Sequence, residues 1–324
     1  MVVQSILAVT DFSIPGDRAL TRAAMLCAAH GASLRLLHLA APGDAAPHDA
    51  ACRLAQHARQ LSRRHAVTVR GPGRAGLAIE QVIDEAGRAD LVVWGCAPST
   101  RLQAFLAGRP LDVLLRRSRR PVLVVGPSAP RAHADILVAV DFSGTGRQLA
   151  RLAAALGPRA DIELFHAIDT ANEGKLRYAE VSPRAIETYR QDCRRHAQGQ
   201  LRRLTDSAGL SDRAPRCALG HGEPAQLIRA RLAQGGTDLV VVGKHPASRL
   251  SDVLFGSVAG RLLRRPLTDV LVVPHDMELP SAVRGAARLA PRGLALPRVR
   301  AGSMPIQGRP APRRSARSLA AADH

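Results

Sequence analysis

The sequence predicts an α/β protein built from two tandem, doubly wound domains, each with a five-stranded parallel sheet. Three observations support this fold class: short apolar runs alternate with segments of helical period, many of these runs are apolar throughout, and the alternation occurs twice along the 324 residues. A strand buried on both faces reads as a continuous apolar run, as in a parallel sheet covered by helices. Alternation of such strands with helices indicates a doubly wound sandwich.

The duplication is visible in matched segments. ILAVTDFS at 6–13 and ILVAVDFS at 136–143 lie 130 residues apart, whereas DLVVWG at 90–95 and DLVVVG at 238–243 lie 148 residues apart. The second copy therefore carries 18 extra residues, the difference of the two offsets. We place these residues in the long helical stretch 182–206 and its approach.

Both copies follow the same order of strands and helices, and we expect the two domains to span residues 1–128 and 134–276. The strands of the first copy are expected near 4–10, 33–39, 66–70, 90–95 and 121–125. The helices of the first copy are expected between them, near 16–30, 49–64, 76–87 and 109–117. The strands of the second copy are expected near 135–140, 161–167, 215–219, 238–242 and 269–273.

The last segment, residues 277–324, departs from this pattern. It carries nine Arg against two acidic residues, Glu278 and Asp323, and is rich in Pro, Gly and Ala. Such a composition cannot bury a core, so we expect a disordered basic tail. The tail is either an inert extension or the place of loose, non-specific contact with nucleic acid.

The overall composition excludes several classes of protein. The chain has 46 Lys plus Arg against 27 Asp plus Glu, a net charge of +19, yet only five Phe, two Tyr and one Trp. Few aromatic side chains are available for stacking on single-stranded bases, so a solvated basic surface is favoured over specific nucleic-acid binding. The five cysteines form no metal-ligand spacing, and no apolar run is long enough to span a membrane. We expect a reduced, cytoplasmic protein without a metal cluster.

Candidate binding residues follow from the topology of such a sheet. Ligands of an open parallel sheet bind beyond the carboxyl ends of its strands, where the strand order reverses. Asp11 and Asp141 follow the first strand of each copy, and Gly95 and Gly243 follow the fourth. If those strands are neighbours, each Asp faces a glycine loop across one crevice.

Four segments in order, ILVAVDFS, LFHAID, GHGEPAQLI and DLVVVGKHPASRLSDVLFGSVAGRLLRRPLTDVLVVP, resemble the universal stress protein family, the UspA-like fold, in its two-copy form. The resemblance implies a strand order of 3-2-1-4-5 in each domain and a role in the stress response. It also implies ATP binding in members that carry the pattern G-x2-G-x9-G-(S/T). In those members loop amides hold the phosphates, while the Asp after strand one and the segment after strand two hold ribose and adenine.

The second copy matches this pattern in part. Gly243 and Gly256-Ser257 stand at the required spacing, but Pro246 replaces the second glycine and has no N–H to offer. We therefore expect weak ATP binding, or else a Gly256-Ser257 pair that only begins a helix. The candidate nucleotide-binding residues are Asp141, His166, Ala167, Gly243, Lys244, Gly256, Ser257 and Val258.

The first copy departs further from the pattern. Pro98 replaces the second glycine, and Arg109-Pro110 replaces the hydroxyl residue and the amide that follows it. We expect this copy not to bind ATP. It then serves as a packing partner for the second copy, through pairing of the apolar edge strands PVLVV and DVLVV about a pseudo-twofold axis.

Three functions remain open from the sequence. The first is a regulatory module that binds a nucleotide and acts on unknown protein clients, with a homodimer as a possible assembly. The second is a nucleotide-independent scaffold for protein interaction. The third is a slow ATPase using Asp141, Gly243, Gly256 and Ser257, although no activated nucleophile or paired carboxylate indicates a catalytic residue.

Overall fold

The computed structural model describes residues 3–40, 47–71, 73–95, 109–128, 131–169, 178–179, 181–244 and 258–277. The predicted basic tail beyond Met277 therefore lies outside the described residues. Within them the chain forms ten strands and eight α-helices, which alternate along both halves.

The first half runs β1 (Ser5–Thr10), α1 (Ile14–His30), β2 (Ser33–Leu39), α2 (Ala50–His65), β3 (Arg74–Leu77), α3 (Ile79–Ala86), β4 (Leu91–Trp94), α4 (Pro110–Arg117) and β5 (Val122–Val124). The second half runs β6 (Asp135–Ala139), α5 (Gly146–Leu156), β7 (Asp161–Ile168), α6 (Pro183–Ala208), β8 (Arg216–His221), α7 (Pro224–Ala233), β9 (Leu239–Lys244), α8 (Val258–Arg264) and β10 (Asp269–Pro274). Helix α6 has 26 residues against 16 in α2, so the extra length of the second copy lies where it was predicted.

All ten strands belong to one sheet with the order β3-β2-β1-β4-β5-β10-β9-β6-β7-β8. Each half has the strand order 3-2-1-4-5, which confirms the predicted fold class. Strands β5 and β10 pair antiparallel, with Leu123 opposite Leu271 at the centre of the register. The two apolar edge strands thus cover each other, and the sheet is mixed only at this seam.

The third strand of the first copy was placed wrongly at 66–70. In that segment Val69 makes only an isolated bridge to Leu34, and the ladder on β2 resumes at Arg74 after a shift in register. Gly71, with a φ of +70°, turns the chain between the two parts. The next helix consequently begins at Ile79 rather than at 76.

The core lies on both faces of the sheet. Helices α1, α2, α5 and α6 cover one face with buried residues such as Leu20 and Leu149, while α3, α4, α7 and α8 cover the other with Val82 and Ile228. Alternate residues of each strand supply the two faces. The strands are therefore buried on both sides, as their apolar sequences predict.

A buried ionic cluster joins the two domains beside the β5–β10 seam. The carboxylate of Asp269 in β10 lies 2.7 Å from Nε of Arg22 in α1 and 2.9 Å from Nε2 of His133. The amide of Gly126 donates to the same carboxylate at 2.9 Å. All three side chains are almost fully buried, so the paired charges are shielded from solvent where the two halves meet.

Candidate functional site

The carboxyl ends of β7, β6 and β9 meet at a cavity of about 290 Å³ in the second domain. These three strands are neighbours in the sheet, and β6 lies between the other two. We call this space the second-domain cavity. It is lined by Ala139, Val140, Asp141, Leu149, Phe165, His166, Ala167, Pro224, Ile228, Val242, Gly243 and Val258.

Five of the eight candidate residues line this cavity: Asp141, His166, Ala167, Gly243 and Val258. Gly256 and Ser257 lie outside the described residues, as does Pro246. The apolar lining, which includes Phe165 and Ile228, was not predicted as part of the site. It carries no motif, and its place at the cavity depends on how α5 and α7 pack on the sheet.

Lys244 points toward the first domain. Its Nζ donates to the carbonyl oxygen of Arg116, near the end of α4, at 2.7 Å. Burial lowers the pKa of Lys244, Asp276 opposes that shift, and Arg116 adds to it. The cation expected beside the phosphate loop is therefore engaged at the boundary between the domains.

A tight turn follows β6 and positions Asp141. The Oδ1 of Asp141 accepts a hydrogen bond from the amide of Ser143 at 2.9 Å, and Phe142 between them has a φ of +63°. A positive φ is uncommon for a bulky residue, so the turn is imposed by the surrounding packing. This turn leads into α5, which begins at Gly146.

His166 occupies the end of β7, beside Asp141. Its Nδ1 lies 2.8 Å from the carbonyl oxygen of Val140, and its ring packs on Phe142 with centroids 4.1 Å apart. Burial lowers the pKa of His166, whereas the hydrogen bond to Val140 and the nearby Asp141 carboxylate both act to raise it. The net shift favours the neutral imidazole.

The equivalent glycine of the first domain is tightly packed. A methyl group at Gly95 would meet Ala19 and the carbonyl oxygen of Pro15 at less than 3.0 Å, because α1 lies directly against the glycine. At the equivalent Gly243 the nearest atom is Cδ1 of Leu149 at 3.5 Å, an ordinary contact. The two glycines thus occupy matching places, and among the described residues a methyl group would fit without a clash beside only the second.

The comparison with known families decides what this architecture is. The universal stress protein family matches the chain twice, over residues 3–126 and 134–274. The chain belongs to the universal stress protein family. This confirms the resemblance found in the sequence, in its tandem form.

Curated universal stress proteins match at moderate identity. One from Mycolicibacterium smegmatis is 26% identical over 301 residues, which cover 83% of this chain and 96% of the relative. Universal stress protein Sll1388 of Synechocystis is 26% identical over 152 residues, or 44% of this chain and 99% of that protein. The first alignment spans both domains and the second about one.

Solved structures share the same two-domain architecture. The crystal structure of a universal stress protein from Archaeoglobus fulgidus matches with a TM-score of 0.60 at 14% identity, covering 83% of this chain and 96% of that one. A functionally unknown protein of Pseudomonas aeruginosa PAO1 also gives 0.60, at 23% identity, covering 85% and 93%. At such identities the likeness shows the fold of this universal stress protein and nothing of its ligand.

The first universal stress protein domain also stacks its own side chains beside β1. Phe12 follows Asp11 with a φ of +60° and lies 4.3 Å from the ring of His38, centroid to centroid. The guanidinium carbon of Arg53 lies 4.2 Å from the centroid of the Phe12 ring. The centroid of the His57 ring lies 5.9 Å from that of Phe12. The sequence carried no signal for this cluster, since a positive φ is not expected of Phe.

The described residues of this universal stress protein contain neither a group of potential metal ligands nor a helix that could span a membrane. Across those ranges, no three His, Cys, Asp or Glu side chains come together as a metal site would require. Among the helices described, none combines the length and the apolar character needed to cross a bilayer.

Proposed function

We propose that this tandem universal stress protein is a cytoplasmic stress-response module whose second domain binds an adenine nucleotide, ATP in particular, and whose first domain is a packing partner. The observation that carries the proposal is the second-domain cavity at the ends of β6, β7 and β9. It lies at the switch point of the sheet, where open α/β folds bind their ligands. Its volume of about 290 Å³ suits part of a small ligand.

The lining of the cavity supports a nucleoside. Apolar walls from Phe165, Ile228 and Val242 favour a flat base, and the Asp141 carboxylate provides an acceptor for ribose hydroxyl groups. Gly243 lines the cavity without a side chain, and a methyl group there would meet Leu149 of α5 at 3.5 Å. This distribution of polar and apolar groups is typical of small-molecule sites.

We expect the affinity to be modest because Pro246 stands where the family pattern has a glycine. Proline offers no N–H to a phosphate and cannot adopt a positive φ. Loss of one such contact costs about 1–3 kcal/mol, which weakens binding by roughly one to two orders of magnitude. The remaining contacts then decide whether ATP binds at cellular concentration.

We propose binding rather than hydrolysis. Among the described residues that line the cavity, the polar side chains are those of Asp141 and His166. The turn after β6 commits one Asp141 oxygen to the Ser143 amide, and Nδ1 of His166 is committed to Val140. Hydrolysis by general-base catalysis would require a base beside the phosphates that activates a water molecule. Asp141 and His166 lie instead at the ends of β6 and β7.

The seam between the domains supports the role of the first domain. The β5–β10 pairing and the buried Asp269 carboxylate join the halves through backbone and ionic contacts. A tandem chain thereby contains within itself the association that two separate domains would otherwise need. We propose that clients, and any homodimer, use surfaces other than this seam.

Calorimetric titration of ATP into the full-length chain tests the proposal, with Asp141→Ala and Asp11→Ala as a matched pair. The two substitutions remove the same carboxylate from equivalent positions of the duplicated fold. We expect Asp141→Ala to weaken ATP binding by at least about tenfold, since a hydrogen bond to a charged group is lost, and Asp11→Ala to leave it unchanged.

Each other outcome contradicts part of the proposal. Equal weakening by both substitutions would remove the second domain as the ATP site. No heat with the wild-type chain would leave a nucleotide-independent scaffold. Phosphate release by the wild-type chain that disappears in Asp141→Ala would make the protein a slow ATPase.

A further inference from the structure

Three arginine side chains converge on one buried carboxylate in the first domain. Glu85, near the end of α3, is 5% exposed, and one of its oxygens pairs with Arg35 of β2. The other oxygen accepts hydrogen bonds from Nη1 of Arg74 at 2.8 Å and from Nη1 of Arg88 at 3.1 Å. We call these four residues the arginine cluster. It lies near the amino ends of β2 and β3, whereas the second-domain cavity lies at the carboxyl ends of strands in the other half.

The charges of the arginine cluster do not balance. Burial acts to raise the pKa of Glu85, but the surrounding arginines bring that pKa below its ordinary value, so the carboxylate is ionised at neutral pH. Three guanidinium groups, which stay protonated, face this single negative charge. A surplus of two positive charges therefore remains. It lies at the surface, because the side chains of Arg74 and Arg88 are 52% and 70% exposed.

The second domain shows what ion pairing between strand and helix requires at the matching place. Glu163 of β7 holds the strand position that Arg35 holds in β2, since both lie opposite equivalent leucines of the central strands. Glu163 pairs with Arg231 near the end of α7, so the polarity of the pair is reversed and its charges cancel. One arginine for one carboxylate thus suffices there. Arg74 and Arg88 add charge beyond that requirement.

We propose that the arginine cluster binds a phosphate dianion, either inorganic phosphate or a phosphate monoester. Such a dianion brings close to two negative charges at neutral pH, which matches the surplus. Arg74 and Arg88 share one oxygen of Glu85, so their guanidinium groups are held side by side above the buried carboxylate. Each of these bonds uses one of several N–H groups, and planar guanidinium groups match the oxygens of a phosphate. The site belongs to the first domain and does not depend on nucleotide binding by the second.

The same charge balance favours a monoester over the backbone of a nucleic acid. Each phosphodiester carries a single negative charge, and successive phosphodiesters are spread along the strand. The exposed arginines of the cluster instead meet at a single oxygen of Glu85. A compact dianion therefore fits the cluster better than one phosphodiester, which would leave part of the surplus in place.

Equilibrium dialysis of the full-length chain against radiolabelled inorganic phosphate measures the affinity and the stoichiometry. The test variant is Arg74→Gln/Arg88→Gln, which keeps the pair of Arg35 with Glu85. The control is Arg147→Gln/Arg159→Gln, which removes the same charge from exposed positions of the second domain. We expect the test variant to bind phosphate at least about tenfold more weakly, because hydrogen bonds to charged groups are lost. The control should stay within about twofold of the wild-type chain, since distant surface charges are screened by salt.

Unlabelled competitors define the ligand. O-Phosphoserine carries a phosphate dianion, and dimethyl phosphate offers similar oxygens with a single charge. We expect dimethyl phosphate to displace the label at least about tenfold less well than unlabelled phosphate, because charge-assisted hydrogen bonds weaken as the charge falls. Displacement by O-phosphoserine would identify phosphorylated side chains as ligands. Displacement by unlabelled phosphate alone would identify free phosphate, and either result supports a site for the dianion.

Four results would overturn the proposal: no phosphate bound by the wild-type chain, equal affinity in the wild-type chain and Arg74→Gln/Arg88→Gln, equal competition by dimethyl phosphate, or stronger displacement by a short DNA duplex than by phosphate. Loss of phosphate binding in Asp141→Ala would also overturn it, by placing the phosphate in the second-domain cavity. Should the double variant fail to fold, Arg88→Gln at the most exposed arginine of the cluster decides, and an unchanged affinity would refute the site.

Discussion

Gly95 and Gly243 occupy equivalent places after β4 and within β9, and alanine at each tests the asymmetry between the domains. At position 95 the added methyl group would lie less than 3.0 Å from Ala19 and from the Pro15 carbonyl oxygen, far inside normal carbon contact. Relief requires α1 to move away from the sheet. Overpacking of this kind costs about 1–3 kcal/mol.

At position 243 the same methyl group meets its nearest neighbour, Leu149, at 3.5 Å. Among the described residues no clash opposes it, and alanine reduces the entropy of the unfolded chain by the equivalent of about 0.4–1 kcal/mol. Gly243→Ala should therefore leave stability unchanged or raise it slightly. Gly95→Ala should lower it by about 2 kcal/mol, the middle of the range for overpacking.

Thermal and urea unfolding of the two variants, followed by circular dichroism, measures the difference. For a chain of 324 residues about 2 kcal/mol lowers the midpoint by roughly 3 °C. The unfolding of Gly95→Ala should begin earlier and should be confined at first to the first domain. Equal losses of stability in both variants would refute the conclusion that α1 packs more tightly against Gly95 than α5 packs against Gly243.

Three further predictions concern buried groups. Asp269→Ala should lower the free energy of unfolding in urea by about 3–5 kcal/mol, because it leaves Arg22 buried without its carboxylate. A decrease of less than about 1 kcal/mol would show that the cluster does not join the domains. Burial lowers the pKa of His38, helped by Arg53 and opposed by Asp11, so stability should fall as the pH drops below its ordinary value of 6.5. His38→Gln should flatten that slope between pH 7.5 and pH 5, and an unchanged slope would contradict the assignment. Burial raises the pKa of Cys27 to about 12. A thiol reagent at pH 8 should therefore modify exposed Cys52 in the native chain and should modify Cys27 only after urea unfolds the protein. Detection of both labels in the native chain by mass spectrometry would contradict this prediction.

Much of the architecture was accessible from the sequence because it depends on apolar period and on repetition. Continuous apolar strands such as that of β6 reveal burial on both faces, and the matched segments align the two copies. The third strand of the first copy was misplaced because VTVR at 67–70 has the alternation of a strand. The ladder there is instead decided by Gly71, which turns the chain before Arg74.

The site was accessible only in outline. Strand ends predicted that Asp141 and Gly243 would share a cavity, since topology alone brings them together. Whether that cavity is open depends on how α1 and α5 approach the two glycines, which is a matter of tertiary packing. The contact between Nδ1 of His166 and the carbonyl oxygen of Val140 is likewise a matter of tertiary packing, which no sequence pattern encodes.

A crystal structure of the full-length chain grown with excess ATP would show directly whether the second domain binds the nucleotide. We expect one nucleotide per chain, in the second-domain cavity, with the ribose beside Asp141 and no nucleotide in the first domain. Nucleotide bound in the first domain, or a second-domain cavity that excludes ATP at saturating concentration, would contradict it.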